Sequence, residues 1–175
     1  MKKVIAVFVL HIFVIDISFA QDTKSKLAEL DFLTGYWLVT TETRLSANGP
    51  WESDNGTAVI IKTTGASAIE EDYTGILQNK SFMTKSIIAY NRFSQKFQRM
   101  FIDSEHGVLI DYQGEKKADT IYFDNTWIYP DKSTVQLRVV YKIISPDELI
   151  VENMRMPQNT SSWDVTGRMR YVRKK

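Results

Sequence analysis

The 175-residue chain contains no cysteine, and histidine occurs only twice, at His11 and His106. Without thiols there is no disulfide, thiolate nucleophile, sulfur-bound zinc, iron–sulfur cluster or lipobox acylation site. Two histidines also exclude a multi-histidine metal centre, so no metal and no cofactor is expected. Proline and glycine are scarce, at 4 and 8 residues, which rules out collagen-like or linker-rich chains. Charge of one sign is missing too: 22 basic and 21 acidic side chains give a formal net charge of +1. A nucleic-acid binder normally carries a basic excess, so that partner is excluded. What is present is ordinary globular composition, 43% hydrophobic and 12% aromatic, in a length suited to one domain with a real core.

The one long apolar run lies at the N-terminus. Lys2 and Lys3 precede an apolar stretch from Val4 to Ile15 that only His11 interrupts, and Ser18-Phe19-Ala20 follows. A positive start, a short apolar core and small residues before a cleavage point describe a secretory signal peptide. The run is short for a membrane span, which needs ~20 apolar residues. We therefore expect residues 1–20 to be a leader removed before Gln21, residues 21–175 to form the domain, and the protein to be periplasmic or extracellular. Removing Lys2, Lys3 and Asp16 with the leader leaves acidic and basic side chains balanced.

After the leader, Asp22 to Phe32 predicts one short helix. Asp22 or Thr23 can cap it, Leu27 and Leu30 lie at helical spacing, and Gly35 stops it. Turn signals then recur at short intervals, from Asn48-Gly49-Pro50 to Pro157-Gln158-Asn159, and all four prolines fall in or beside them. Between the turns lie about ten segments of strand length. The clearest runs from Val135 to Ile143, where Val135, Leu137, Val139, Tyr141 and Ile143 alternate with Gln136, Arg138, Val140 and Lys142. Such alternation makes one face dry and the other wet. Short turns join antiparallel neighbours, and a ten-strand meander removes its exposed edges by closing. The expectation is an all-β, up-and-down antiparallel barrel of about ten strands with one short N-terminal helix. Short turns at both ends and an Arg173-Lys174-Lys175 tail argue against an outer-membrane barrel.

Gly35-Tyr36-Trp37, at the opening of the first strand, resembles the Gly-x-Trp signature of the calycins, the lipocalin and fatty-acid-binding barrels. The resemblance implies that Trp37 plugs the closed end and that an arginine of the last strand packs across it. With an even number of strands, the last strand ends beside the start of the first. That places Arg170 or Arg173 near the Trp37 indole, where a guanidinium can stack. The run Ile87-Ile88-Ala89-Tyr90-Asn91, Phe97 to Asp103, Gly107 and Gln113-Gly114 is similar to a bacterial family of secreted lipocalin-like domains of unknown function. Asn91 stands where members usually carry aspartate. The same group includes nitrobindin-like haem barrels, whose axial histidine lies late in the chain. No histidine follows His106 here, so haem is not implied.

Arg99 shares a strand face with Phe97 and Phe101. If that face is inward, the guanidinium would anchor a ligand carboxylate, as the resemblance to fatty-acid-binding barrels implies; if outward, its stem covers aromatic surface. Phe101, Tyr112, Phe123, Trp127 and Tyr141 are further candidates for a ligand-lining interior, and Tyr90 and Trp163 for the interior or an end plug. Asn125, between Phe123 and Trp127, poses the same question of phase as Arg99. Within Glu70-Glu71-Asp72, Glu71 faces opposite to its neighbours, so one side of the strand offers an acid to a cavity. Asp103, Glu105 and His106 are the only hydrolytic cluster, without a nucleophile motif beside it. The leading expectation is a small apolar or amphipathic molecule held inside the barrel, with no membrane span after cleavage. Alternatives are a barrel enzyme using a buried carboxylate or tyrosine, and an interaction module with a filled core. Apolar residues occupy both phases of the strands near 67–77, 97–103 and 118–129, and a one-residue shift reverses every side chain.

Overall fold

A computed structural model describes residues 23–44, 48–158 and 160–175; the expected leader lies outside them. Ten strands follow in order: β1 (Gly35–Thr43), β2 (Glu52–Lys62), β3 (Ala68–Leu77), β4 (Lys80–Asn91), β5 (Lys96–Asp103), β6 (Ile110–Lys117), β7 (Thr120–Ile128), β8 (Thr134–Ser145), β9 (Glu148–Pro157) and β10 (Asp164–Arg173). Each pairs with its sequence neighbours, and β10 pairs antiparallel with β1, so the sheet closes into a ten-stranded up-and-down barrel. The expected all-β architecture is the observed one.

The N-terminal helix is shorter than the sequence suggests. It covers residues 23–28, and a 3-10 turn follows at Asp31–Leu33. Leu27, Leu30 and Leu33 are each at most 2% exposed. Their spacing of three suits 3-10 geometry, in which i and i+3 eclipse, better than a continuing α-helix. Backbone bonds from Leu30 to Leu27, Leu33 to Leu30 and Thr34 to Asp31 follow that repeat. The three leucines pack into one hydrophobic core with Trp37, Ile60, Ile69, Ile88, Phe97, Ile121 and Leu149.

Arg173 locks the closed end. Its guanidinium carbon lies 4.2 Å from the Trp37 ring centroid. It donates to the carbonyls of Thr34 and Phe32, both at 2.7 Å, and to Pro146 O and Asp147 Oδ1 at the β8–β9 turn. The Trp37 Nε1 donates to Leu33 O at 2.8 Å. Gly35 has φ +140°, and a Cβ there would collide with the Arg173 guanidinium; only glycine meets both demands. Arg170 is a correction: it lies outside the barrel, pairs in register with Thr40 and bonds Glu148 at 2.8 Å. Arg173 and Trp37 are register partners, whereas Arg170, three residues earlier, has the opposite phase.

Urea denaturation should separate these roles. Trp37→Ala should cost about 3–5 kcal/mol and Arg173→Ala about 2–3 kcal/mol through its stranded carbonyls. Arg170→Ala should stay within about 0.5 kcal/mol as a surface ion pair. Equal losses for the two arginine variants would contradict the assigned clasp.

Candidate functional site

Closure settles the strand phases that local sequence leaves open. On β3, Ile69, Glu71 and Tyr73 are buried, while Glu70 and Asp72 point outward and both bond the Lys85 ammonium of β4. On β5, Phe97 and Arg99 are buried, so the guanidinium is inward. Above the plug, Glu71, Tyr73 and Arg99 border an interior cavity of about 390 Å³. It reaches from Glu71, Arg99, Tyr112, Tyr141 and Tyr171 at its base to Thr43, Leu77, Phe82, Asp103 and His106 at its rim. A depression of similar volume on the outer face of β6 and β7 is lined by Asp111, Gln113, Glu115 and Asp124, all exposed; it is an open polar surface.

Two opposite charges line the base of the cavity, and they are treated differently. Glu71 is 6% exposed, and both its oxygens have partners: Ser86 Oγ donates at 2.9 Å and Tyr171 Oη at 2.8 Å. Arg99 is also 6% exposed, yet its Nε has no hydrogen-bond partner. Among the described residues no carboxylate stands in salt-bridge contact with it. The guanidinium lies 4.8 Å from the Phe101 ring centroid and 5.6 Å from that of Tyr112. Aromatic faces favour a desolvated cation and fix its plane. Burial works against the Arg99 charge, but Tyr141, Glu71 and Tyr112 together hold its pKa above the ordinary arginine value. It therefore stays protonated at any physiological pH.

The tyrosines around it are neutral donors. Burial pushes Tyr141 up to about 12, with Arg99 opposing and Glu71 reinforcing the shift. Tyr171 is raised well above its ordinary value by burial, then by Glu71 and Tyr141. Tyr112 is raised by burial against the pull of Arg99. Tyr73, also raised by burial, shares a 3.1 Å hydrogen bond with Thr41. Its ring occupies space left by Gly56 and Gly75, where a Cβ would strike it.

Of the candidates named from sequence, Arg99, Phe101, Tyr112 and Tyr141 border the cavity. Phe123 and Trp127 do not. Phe123 is fully buried, packs edge-on against Tyr141 at 5.8 Å, and fills the gap opposite Gly114, where a Cβ would strike its ring. Trp127 is half-buried near the end of β7, and Asn125 bonds Asp111 O at 2.6 Å. Tyr90 packs on Phe97 at the closed end. Trp163 lies just before β10, with the Arg138 guanidinium 4.5 Å over its ring. Arg138 also bonds the exposed Asp124, so this stack belongs to the outer surface. A register irregularity between Val165 and Gly167 breaks the alternation that would have turned Trp163 inward. Asp103 accepts the backbone N–H groups of Glu105 and His106 and lies 3.2 Å from His106 Nδ1, so the trio forms a turn at the cavity rim. Sequence reasoning raises Glu71 without choosing its face and misses Ser86 and Tyr171 as its partners; their link depends on three strands meeting across the barrel.

A family model matches residues 22–173, that of a protein of unknown function (DUF1579). The chain belongs to this family. No curated protein matches. Among solved structures, the S-type phycobiliprotein lyase CPES from Guillardia theta is similar with a TM-score of 0.52 at 13% identity, over 85% of this chain and 93% of that one. A redesigned beta barrel gives 0.44 at 13% identity, over 83% and 94%. At such identity the likeness to the lyase speaks for the fold alone.

The buried phenols give the family member a defined alkaline response. Tyr141 keeps its proton to about 12 when folded and to ~10 when unfolded, so the native state binds more protons between those values. Its stabilisation is complete below ~pH 10 and is lost as pH rises toward 12, by about 2–3 kcal/mol. Urea midpoints at pH 8 and pH 11 should fall for the native protein and fall less for Tyr141→Phe. An unchanged alkaline slope in that variant would refute the assignment.

Proposed function

We propose that this chain is an exported, bacterial small-molecule-binding barrel that holds a small, mostly apolar ligand in its interior, with Arg99 as the polar anchor. The observation that carries this reading is a buried guanidinium that borders a cavity of about 390 Å³, with no carboxylate among the described residues in contact and no hydrogen-bond partner on its Nε. A buried donor without an acceptor costs about 1–3 kcal/mol, and a ligand oxygen removes that cost. Ligand pockets are characteristically apolar, with a few fixed polar groups; Phe82, Phe101, Leu77, Val151 and Met169 supply the apolar wall. The leader-like segment from Lys2 to Ala20 supports export. The barrel fold is a scaffold on which several functions are possible, so the site carries the argument.

A second reading rests on Glu71, a buried acid 2.8 Å from Tyr171 in the same cavity, which could take a proton from a bound molecule. Incorporation of solvent deuterium into a bound compound, lost in Glu71→Gln, would establish that enzyme. A filled-core interaction module has least support, because the interior holds a cavity.

Native mass spectrometry of protein recovered from its own host tests the binding reading. A non-covalent mass should be present and vanish on denaturation. Thr84→Phe, which fills the cavity, should remove it without loss of fold. Arg99→Met should weaken retention by about 10- to 100-fold, the worth of one charge-assisted hydrogen bond. Bare wild-type protein that also fails to take up an apolar fluorophore would overturn the reading.

A further inference from the structure

The charge of Arg99 is already balanced inside the barrel. Glu71 on β3 and Arg99 on β5 line the same cavity, each only 6% exposed. The intervening strand supplies Ser86, which faces Glu71 in register and pairs on its other side with Phe101, the next inward residue after Arg99. The two charges therefore sit on neighbouring inward rows without touching. Each stabilises the other through a poorly screened interior. At the base of the cavity the sum is zero before any ligand enters, since Tyr112, Tyr141 and Tyr171 add only neutral hydroxyls; the further carboxylate, Asp103, lies at the rim and is held in its turn by the backbone N–H groups of Glu105 and His106.

A ligand is thus needed for a hydrogen-bond acceptor and not for a charge. A carboxylate on Arg99 would place two anions around one cation in a desolvated site, and like charges confined together disfavour their shared ionisation. A carbonyl oxygen accepts from the Arg99 guanidinium and adds no charge to the site. We propose that the cavity selects neutral carbonyl compounds with an apolar body, such as ketones, esters or amides, and that Glu71 is the residue that discriminates against carboxylates. The inference rests on the binding reading above. It also reverses the carboxylate anchoring expected from the resemblance to fatty-acid-binding barrels, because the carboxylate partner is already built into β3. Glu71 suits that role, since Ser86 and Tyr171 hold its two oxygens and it contributes field without competing for the Arg99 guanidinium.

Matched probes give the test. Isothermal titration at pH 7.5 with nonan-2-one and with nonanoate compares one chain length with and without charge. Wild-type protein should bind the ketone at least ~10-fold more tightly, as expected for an unscreened like charge. Glu71→Gln keeps the shape and the hydrogen-bonding capacity toward Ser86 and Tyr171; it should shift the ratio of nonanoate to ketone affinity by ~10-fold or more in favour of nonanoate. The wild-type comparison stands whether or not that variant folds. Tighter nonanoate than ketone in wild type, or a preference unmoved by Glu71→Gln, would overturn the selectivity while the binding reading stands. Failure of both probes, with Arg99→Met indistinguishable from wild type, would remove both.

Discussion

One guanidinium ties the two ends of this chain together. Arg173, at the end of β10, donates to carbonyls that precede β1 and to the turn between β8 and β9, and sits over the first strand's tryptophan. A closed ladder of backbone hydrogen bonds does not by itself fix how β1 and β10 slide past each other, because side-chain alternation is restored after every second residue. The Phe32 and Thr34 carbonyls lie outside the ladder and need a donor at one fixed place. Arg173 provides it, and the bare backbone at Gly35 gives it passage. Register at the seam follows from that clasp, and the facing of the side chains around the barrel follows from register.

Facing in turn decides the electrostatics of the interior. Inverting β3 and β5 would place Glu71 and Arg99 in solvent, where they would interact weakly. Inward, each is a desolvated charge that folding must accommodate. The two solutions differ. Glu71 has both oxygens hydrogen-bonded, whereas Arg99 lies against aromatic faces with its Nε unpartnered. The neighbouring phenols support both, since burial keeps them neutral. The tyrosines belong to the site even where no ligand atom would touch them.

Much of the architecture is legible in the sequence because it is written locally. Turn residues mark off ten strands, alternation along Val135–Ile143 shows a dry face, and Gly35, Trp37 and a terminal arginine resemble a known plug. What is not legible depends on partners far away in the chain. Alternation sets Glu71 apart from Glu70 and Asp72, but which side faces inward is undecided until Lys85 on the next strand claims the outer two. Phe123 and Tyr141 both read as lining, yet Phe123 fills space, because Gly114 opposite leaves room for its ring. Trp163 reads as interior by counting in twos, and one irregular step before Gly167 defeats the count. The helix reads as longer than it is because leucines spaced by three satisfy either helical repeat across one turn.

The free donor on Arg99 bears on why the interior is built this way. A barrel of this size can fill its centre with apolar side chains, and replacing buried charges by well-packed hydrophobic groups is often neutral or stabilising. Stability alone therefore gives no reason for a charge pair with an unsatisfied nitrogen beside a cavity. Departures from local consistency are expected where a protein binds or reacts. Here the cavity, the free Nε and the balancing carboxylate meet in one place. They share one explanation: a neutral acceptor group entering from the rim at Phe82 and Leu77 would complete a polar network that the chain leaves open at Arg99.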